Sequence, residues 1–345
     1  MFDVLTIGTA TRDVFIESDL FRIVHDPKHL EKLGFSTGEA QCFALGGKIE
    51  VKRPTLAFGG GAANAAITFR REGFRVAAVA KVGDDENGVT VLGNLKAHGV
   101  TAFVPKDKRE GTAYSVILLS PSGERTILNY RGASEDLKIK EVPLASIKAK
   151  AVYIVPGRIE LKVIYNLALA LKKKGSFIAM NPSSHYLDMG AKKLAPLLKL
   201  MDVITLNREE AAMLVNEKFE HETKIFKKFE TLVPGIAVMT DGANGVLVSN
   251  GKKIYSAGVY KEKKIINRTG AGDAFGSGFV AGLLKHGDLS RGASAEAIMY
   301  AMRLASANAT SVVEHMGAQA GILKGADFAK DARWKGLTIR VKNLA

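Results

Sequence analysis

The chain has 345 residues, of which 47% are hydrophobic and 7% aromatic, and its 35 glycines fall in clusters rather than at a fixed period. This composition excludes collagen-like, coiled-coil and disordered chains and indicates a globular protein with a large core. The formal net charge is +14 at pH 7, but the basic residues are scattered. We therefore expect small anionic ligands and no nucleic-acid partner, with nucleic-acid binding kept as the alternative explanation of the charge.

The cysteine and hydropathy patterns bear on where the protein works. Cys42 is the single cysteine, so an internal disulfide is excluded, and no Cys/His cluster has the spacing of a metal site. Residues 1–8 contain no basic leader, and the chain has no uninterrupted apolar run of about 18 residues. We expect a cytoplasmic protein without a membrane partner.

After the first predicted strand, the pattern changes between residues 13 and 58. Strand-like pieces lie at residues 13–16 and 48–57, whereas residues 21–44 have weak periodicity and predict no element. Farther along, residues 113–130 contain two β-branched runs around a Pro-Ser-Gly-Glu turn, which is typical of a β-hairpin. We predict that these two parts of the chain form a small β lid.

The rest of the chain alternates short apolar runs with longer helical patterns. The successive pairs are residues 152–155 and 160–173, residues 177–180 and 191–200, and residues 203–206 and 208–215. Such repeats predict an α/β fold, with a mostly parallel sheet whose ligands bind beyond the carboxyl ends of the strands. The predicted large domain comprises residues 1–12, 59–111 and 132–345, and the predicted lid comprises residues 13–58 and 112–131.

Two glycine-rich turns each open a helical pattern, at residues 58–66 and 267–278. The second contains Gly-Ala-Gly-Asp at residues 270–273, where unpaired backbone N–H groups and the helix dipole would attract an anion. A carboxylate beside an anion site can accept the proton of an attacking hydroxyl, which gives Asp273 a candidate role as base. Taken alone, Asp273 would be interpreted as the cap of its helix. The spacing of the first turn does not fit a dinucleotide-binding loop, and no Walker-type phosphate loop occurs.

In their order and separation, these two turns resemble the two signature motifs of the ribokinase family, the PfkB-type carbohydrate kinases. The resemblance covers nearly the whole chain and implies a ribokinase-like three-layer fold, with a mostly parallel sheet between helices and a small β lid. It implies transfer of the γ-phosphate of ATP to a hydroxyl, expected to be primary, of a small sugar. Asp273 would be the catalytic base, and the amides of Gly270, Ala271 and Gly272 would hold the transferred phosphoryl group.

The resemblance also implies residues for the nucleotide and the metal. Asn207 and Glu210 would help to hold Mg²⁺ through water, although Glu210 taken alone is an ordinary acid in the first turn of a helix. Thr240 and Gly242 would lie along the phosphates and ribose of ATP, together with Gly270 and Gly272. Asn308 and residues 317–319 would wall the adenine pocket, although Asn308 taken alone is a polar residue on a helix surface.

For the acceptor, Asp13 follows the first strand at the position where the family holds sugar hydroxyls. A carboxylate accepts from two neighbouring hydroxyls at once, which suits a diol. Gly59, Gly60 and Asn64 would complete this pocket. Arg131 would reach from the lid to a carboxylate or phosphate on the acceptor, although taken alone it is a solvated arginine at a strand end.

The sequence leaves the acceptor and the chemistry open in several ways. Ribokinases proper commonly have a lysine where Gly61 stands, so ribose is not assigned. A nucleoside kinase of the same family is the main alternative, with Phe15, Phe43 and Tyr114 as candidates to contact a base. A protein that binds ligands on the kinase scaffold without turnover is a further alternative.

Two family properties also stay open. Many relatives bind a monovalent cation beside the anion site, but Asn267 stands where an acid is frequent, so activation by K⁺ is an open question. An exposed sheet edge can pair with the edge of a second copy of the chain. A homodimer through the lid is therefore also an expectation that the sequence leaves open.

Overall fold

The computed structural model describes residues 1–35, 38–120, 125–286 and 292–344. The strands are β1 (Phe2–Gly8), β2 (Thr11–Glu17), β3 (Arg22–His25), β4 (Glu39–Cys42), β5 (Thr55–Gly59), β6 (Val76–Val79), β7 (Val82–Gly83), β8 (Thr101–Phe103), β9 (Lys106–Asp107), β10 (Tyr114–Leu119), β11 (Arg125–Tyr130), β12 (Ala149–Val155), β13 (Phe177–Met180), β14 (Val203–Asn207), β15 (Ile236–Thr240), β16 (Val246–Ser249), β17 (Lys253–Ala257) and β18 (Ile339–Asn343). The α-helices are α1 (Pro27–Leu30), α2 (Gly61–Arg71), α3 (Glu86–Ala97), α4 (Leu161–Lys173), α5 (Ser184–Leu187), α6 (Ala191–Leu198), α7 (Arg208–Val215), α8 (Glu222–Leu232), α9 (Ala271–His286), α10 (Ala295–Val313) and α11 (Gly325–Lys330).

Within the described residues, the main sheet has ten strands in the order β18-β17-β16-β15-β14-β13-β12-β1-β6-β8. The strands from β15 to β8 in this order pair in parallel, whereas β16, β17 and β18 extend the sheet by antiparallel pairing. Parallel strands are joined by crossover connections, and the helices in these connections cover the faces of the sheet. The carboxyl ends of β1, β12, β14 and β15 therefore meet at one edge of the sheet.

Helices cover both faces of this sheet and make three layers. On β1, Leu5 and Ile7 belong to a core packed by α4 to α8, whereas Val4 belongs to the opposite core, packed by α2, α3, α9 and α10. This alternation is the period of two expected of a strand that is buried on both faces. The predicted α/β class, the flanking helices and the mostly parallel sheet are confirmed.

A second, four-stranded sheet in the order β11-β10-β2-β5 lies against the carboxyl edge of the main sheet. Two of its strands come from each segment that we predicted to form the lid. Strands β2 and β5 extend to Thr11 and Gly59, just beyond the predicted limits of the first segment. The predicted hairpin pairs β10 with β11 in antiparallel fashion, while its predicted turn at residues 121–124 lies outside the described residues. We call this sheet the lid sheet.

The segment for which we predicted no element forms a small appendage. Strands β3 and β4 pair in antiparallel fashion around the short helix α1. Strand β3 is exposed along its whole length, so it has no buried face to impose the alternation on which the prediction depended. Within the described residues, no helix is long and apolar enough to cross a membrane.

Candidate active site

A pocket of about 220 Å³ lies between the lid sheet and the carboxyl edge of the main sheet. We call it the lid pocket. The predicted residues that line it are Asp13, Gly59, Gly60, Asn64, Arg131, Gly270 and Asp273. All five residues that we predicted for the acceptor therefore lie in one cavity with the predicted base, although they come from distant parts of the chain.

Asp13 supplies a buried carboxylate to the lid pocket from strand β2. Its exposed fraction is 5%, and the Thr11 hydroxyl donates to its Oδ1 at 2.9 Å. Burial raises the pKa of Asp13, although hydrogen bonds from Thr11 and Ser115 oppose this shift. A Cβ on Gly59 would lie 2.1 Å from Asp13 Oδ2, so glycine is needed there for the backbone of β5 to pass the carboxylate.

Asp273 stands in the first turn of α9, and its carboxylate faces the lid pocket. Asn64 Nδ2 donates to Asp273 Oδ2 at 2.9 Å, so this carboxylate is bonded to another helix rather than to its own. Burial raises the pKa of Asp273, the hydrogen bond from Asn64 opposes the rise, and the negative charge of Asp13 adds to it. A carboxylate of raised pKa beside a cavity can accept a proton from a bound hydroxyl.

A second pocket, of about 270 Å³, lies on the other side of the amino end of α9. We call it the outer pocket. Its polar walls include Asn207, Thr240, Gly242 and Arg268. Its apolar walls include Val259, Phe275, Ala309 and Val313, and Glu262 adds one acidic side chain. The combination of an apolar wall with a basic and several polar groups suits a base, a sugar and phosphates in one ligand.

The turn before α9 separates the two pockets. Gly270 and Asp273 line the lid pocket, whereas Ala271 and Gly272 line the outer pocket. The first N–H groups of this 16-residue helix therefore lie at the boundary between the pockets, where a phosphoryl group passing from one to the other would meet them. Of these groups, the Ala271 N–H makes only a long bond of 3.4 Å to the Arg268 carbonyl. Gly270 has a φ of 83°, and a Cβ there would lie 2.4 Å from the Ala318 Cβ, so only glycine fits this turn.

Asn207 and Glu210 form a capping box at the start of α7. Asn207 Oδ1 accepts from the Glu210 N–H at 2.8 Å, and Glu210 Oε2 accepts from the Asn207 N–H at 2.9 Å. Burial raises the pKa of Glu210, and the charge of Asp273 adds to the rise. The structure thus gives Glu210 the capping role that its sequence position alone suggested, and it also places this carboxylate near the predicted base.

The structure does not bring Asn308 to the outer pocket. Its exposed fraction is 1%, its Nδ2 donates to the Ala274 carbonyl at 2.9 Å, and its Oδ1 accepts from the Leu323 N–H at 2.9 Å. The neighbouring Ser306, Ala309 and Thr310 line the pocket instead. The predicted contact of Asn308 with the nucleotide is therefore corrected: its amide joins α10 to α9 and to the following loop.

We expect Asn308→Leu to lower the free energy of unfolding and to leave the Michaelis constant for ATP unchanged. The substitution leaves the Leu323 N–H without its partner, at a cost of about 1–3 kcal/mol. The Ala274 carbonyl loses one donor but lies inside α9, where the helix supplies another. Urea unfolding and initial-rate kinetics measure the two effects. Ala309→Leu is the matched control, because Ala309 is half-buried and lines the pocket. It should raise the Michaelis constant with little loss of stability, and the reverse pattern would contradict this assignment.

Gln319 differs in the same way from its predicted place in the adenine wall. It is buried, and its Nε2 donates to Asn64 Oδ1 at 2.9 Å while its Oε1 accepts from Asn94 Nδ2 at 2.9 Å. Gln319 therefore supports the lid pocket rather than the outer pocket. Sequence reasoning also missed Arg268 and Thr11, although Arg268 lies inside the quoted motif at residues 267–278 and Thr11 lies two residues before Asp13.

Asn267, the residue on which we left activation by K⁺ open, is buried beside the turn before α9. Its Oδ1 accepts from the Thr269 N–H at 2.6 Å. Its Nδ2 and the Thr269 hydroxyl are buried without a hydrogen-bond partner. The Asn267 Nδ2 is only a donor and cannot bind a cation, whereas the oxygen of the Thr269 hydroxyl can. Activation by K⁺ therefore stays a question for experiment.

The fold, the lid and the two pockets on either side of the amino end of α9 fit a phosphotransferase that uses an alcohol group as acceptor. The family described as pfkB family carbohydrate kinase matches residues 28–324. The chain therefore belongs to the pfkB family of carbohydrate kinases, which confirms the resemblance to ribokinases, and binding of ATP is implied by the family.

Individual relatives differ in the acceptor that their names give. The chain is 29% identical over 275 residues to a ribokinase from Haemophilus influenzae, covering 77% of this chain and 84% of the relative. It is 25% identical over 247 residues to an ATP-dependent ribose-1-phosphate kinase from Halopiger xanaduensis, covering 71% and 79%. The structure of an Arabidopsis thaliana ribokinase with ribose and ATP shares the fold, with a TM-score of 0.73 at 20% identity over 96% of this chain and 99% of that one.

Proposed function

We propose that the protein is an ATP-dependent kinase that transfers the γ-phosphate to a primary hydroxyl of a small sugar. The observation that carries this proposal is the position of Asp273. It faces a cavity that also contains Asp13, and the first amides of α9 separate that cavity from the outer pocket. The sugar would occupy the lid pocket, and the nucleotide would occupy the outer pocket.

The proposed mechanism depends on alignment more than on covalent chemistry. Asp13 would accept hydrogen bonds from two hydroxyls of the sugar, and Asp273 would accept one from the attacking hydroxyl. The N–H groups at residues 270–272 would stabilise the negative charge on the transferred phosphoryl group. Asp273 would take the proton as the new bond forms, which typically contributes about 10²–10⁴ in rate. The lid would keep water out of the pocket.

The residues near the phosphate path suit Mg²⁺. Mg²⁺ usually keeps several waters and takes one or two carboxylates together with substrate phosphates. The described residues contain no cluster of three or more acidic, His or Cys side chains that could hold a metal alone. Burial raises the pKa of Glu210, and the charge of Asp273 adds to the rise. A cation here would also relieve the repulsion between these two carboxylates. Glu210 and Asn207 would hold the ion through its waters, and the ion would neutralise phosphate charge.

The walls of the lid pocket favour a sugar over a nucleoside. No aromatic side chain is among the described residues that line it. Phe15 is buried in the core of the lid sheet, Phe43 packs edge-on against Phe21 with ring centroids 5.4 Å apart, and Tyr114 does not line the pocket. A nucleoside would therefore lack the stacking surface that a base normally finds. The nucleoside kinase remains the alternative.

An acceptor panel tests the proposal. ADP formation from ATP and Mg²⁺ is measured with ribose, fructose, other small sugars, sugar acids, sugar phosphates and nucleosides, with and without K⁺. We expect ADP formation that depends on a sugar. A preference for nucleosides would favour the alternative kinase, and the absence of any acceptor-dependent ADP would favour a ligand-binding protein.

A specific feature favours a sugar that carries an anionic group as a second candidate. Arg131 lines the lid pocket, and Arg158 follows Gly157, which also lines it. Both arginines approach Glu135 Oε1, at 3.4 Å and 3.9 Å. A phosphate or carboxylate on the acceptor could replace Glu135 as the partner of these guanidinium groups, which bind such anions in a planar fork.

We expect Arg131→Met to discriminate between these acceptors. If the acceptor carries phosphate, the variant loses a charge-assisted hydrogen bond, and kcat/KM should fall by about 10–100-fold for ribose 1-phosphate or fructose 6-phosphate. The values for ribose and fructose should change by less than about threefold. Equal losses on both kinds of acceptor would contradict a role in binding the anionic group.

A further inference from the structure

Three side-chain amides form a continuous hydrogen-bonded series that ends on Asp273. Asn94 on α3 donates to Gln319, Gln319 in the loop after α10 donates to Asn64 on α2, and Asn64 donates to Asp273 on α9. Each of the three bonds measures 2.9 Å. Gln319 and Asn64 are buried, with exposed fractions of 8% and 4%, whereas Asn94 is half-buried. The series therefore runs from near the surface to the proposed base.

The direction of every bond in this series follows from chemistry. An ionised carboxylate only accepts, so Asn64 must turn its NH₂ group toward Asp273. Its carbonyl oxygen then faces Gln319, which must present its own NH₂ group. The Gln319 oxygen in turn faces Asn94, which must also donate. Because each amide has one donating and one accepting end, the orientation of one amide determines the orientation of the next.

We propose that Gln319 and Asn94 are positioning residues that hold Asn64 with its donating end toward Asp273. This inference rests on the proposed role of Asp273 as the base. Asn64 would otherwise be free to turn its oxygen toward the carboxylate, which would displace the negative charge that must meet the hydroxyl. Gln319 makes the wrong orientation costly, because that orientation would set two NH₂ groups against each other in a buried site.

Replacing Gln319 by a side chain that can only accept hydrogen bonds should turn the NH₂ group of Asn64 away from Asp273. In Gln319→Glu, the new carboxylate still accepts from Asn94, but it has no donor for the Asn64 oxygen. The NH₂ group of Asn64 can then donate either to Asp273 or to the new carboxylate at position 319. The carboxylate that is left without this donor should bind a proton more readily. The titratable or charged groups that interact with Asp273 or line its pocket include Asp13 on β2, Glu210 on α7, Tyr153 on β12 and Arg131 after β11. Beside residue 319, the Arg71 guanidinium on α2 donates to the carbonyls of Ala320 and Ile322. Both basic groups therefore already have partners, since Arg131 pairs with Glu135.

The test compares Gln319→Glu with Gln319→Met, which has similar length, no donor and only a weakly accepting sulfur. We expect Gln319→Met to lower kcat by a few-fold, because Asn64 loses the partner that holds its orientation. The pH profile should stay in place, because the ionised Asp273 itself still prefers the donating end of Asn64. Gln319→Glu should shift the acid limb of the profile of kcat/KM upward by about one pH unit, which is a tenfold loss on that limb. Identical profiles for the two variants would overturn the proposal.

A second readout needs no substrate, and it separates failure of this inference from failure of the proposed function. The extra proton in folded Gln319→Glu corresponds to a carboxyl pKa above its unfolded value. The folded state then binds more protons than the unfolded state between those two values, so stability falls as pH rises through that window. Urea unfolding from pH 4 to 8 should therefore show a steeper fall with pH for Gln319→Glu than for Gln319→Met.

The two readouts have distinct outcomes. A steeper fall in a chain that phosphorylates no acceptor would support the amide series and reject the kinase proposal. Equal slopes in an active chain would overturn the series alone. Should Gln319→Glu not fold, Asn94→Asp places the same conflict at the half-buried outer end, where we expect a smaller shift in the same direction. No shift with that variant would overturn the proposal.

Discussion

Asp273→Asn should bind nucleotide within a few-fold of the unmodified chain while losing about 10²–10⁴ in kcat. The substitution keeps the size of the side chain and can still accept from Asn64, because an amide oxygen can replace the carboxylate oxygen. It removes the group that takes the proton from the acceptor hydroxyl. Nucleotide affinity is measured by titration calorimetry, and kcat is measured on the best acceptor of the panel.

The stability of the same variant shows whether lost activity reflects lost chemistry or lost structure. The pKa of Asp273 is raised in the folded state, mainly by burial. The folded state therefore binds the proton more tightly than the unfolded state does, and the ionised group costs stability once the pH exceeds the unfolded pKa. Asp273→Asn removes this cost, so the variant should be more stable at pH 7, with the gain vanishing toward pH 3. An active or a destabilised variant would contradict the assignment.

The parts of the fold that the sequence predicted well are those with strong local patterns. The helical pattern at residues 160–173 corresponds to α4, and that at residues 208–215 corresponds to α7 with the same bounds. These elements bury one face against the sheet, so their apolar spacing is imposed by packing and can be read directly. In the segment at residues 21–44, strand β3 is exposed throughout and β4 buries only Ala40, so its pattern contained no comparable signal.

The active-site predictions also differ in how well local sequence patterns could support them. Asp273 opens a helix at the carboxyl edge of the main sheet, where topology predicts ligands to bind. The place of Asp13, which lies in the lid sheet, and that of Asn64 on α2 came from the resemblance to the family. Asn308 and Gln319 could not be assigned in this way, because the side of a helix or loop that an amide faces depends on packing between distant elements. Both amides are buried and hydrogen-bonded across the core, and only the three-dimensional arrangement distinguishes them from contacts to a nucleotide.

Gly270→Ala should lower kcat by about 10²-fold, which is more than its effect on stability alone would produce. A φ of 83° costs an alanine about 1–2 kcal/mol. In addition, the new Cβ would lie 2.4 Å from the Ala318 Cβ and 2.8 Å from its Cα, so the turn or the facing loop must move. Such a movement displaces the first amides of α9 and Asp273 together, and a misplacement of about 1 Å can cost about 10² in rate.

Gly251→Ala separates the cost of the positive φ from the effect of the clash with Ala318. Gly251 has a similar φ of 74°, but a Cβ there would meet nothing within 4 Å. It lies in the turn between β16 and β17, so its variant should lose about 1 kcal/mol of stability and keep its kcat. Ala318→Gly in the Gly270→Ala background removes the nearest contact and should recover part of the lost rate. Equal kcat values for Gly251→Ala and Gly270→Ala would mean that the turn before α9 tolerates displacement, and the amides there would then have no part in stabilising the transferred phosphoryl group.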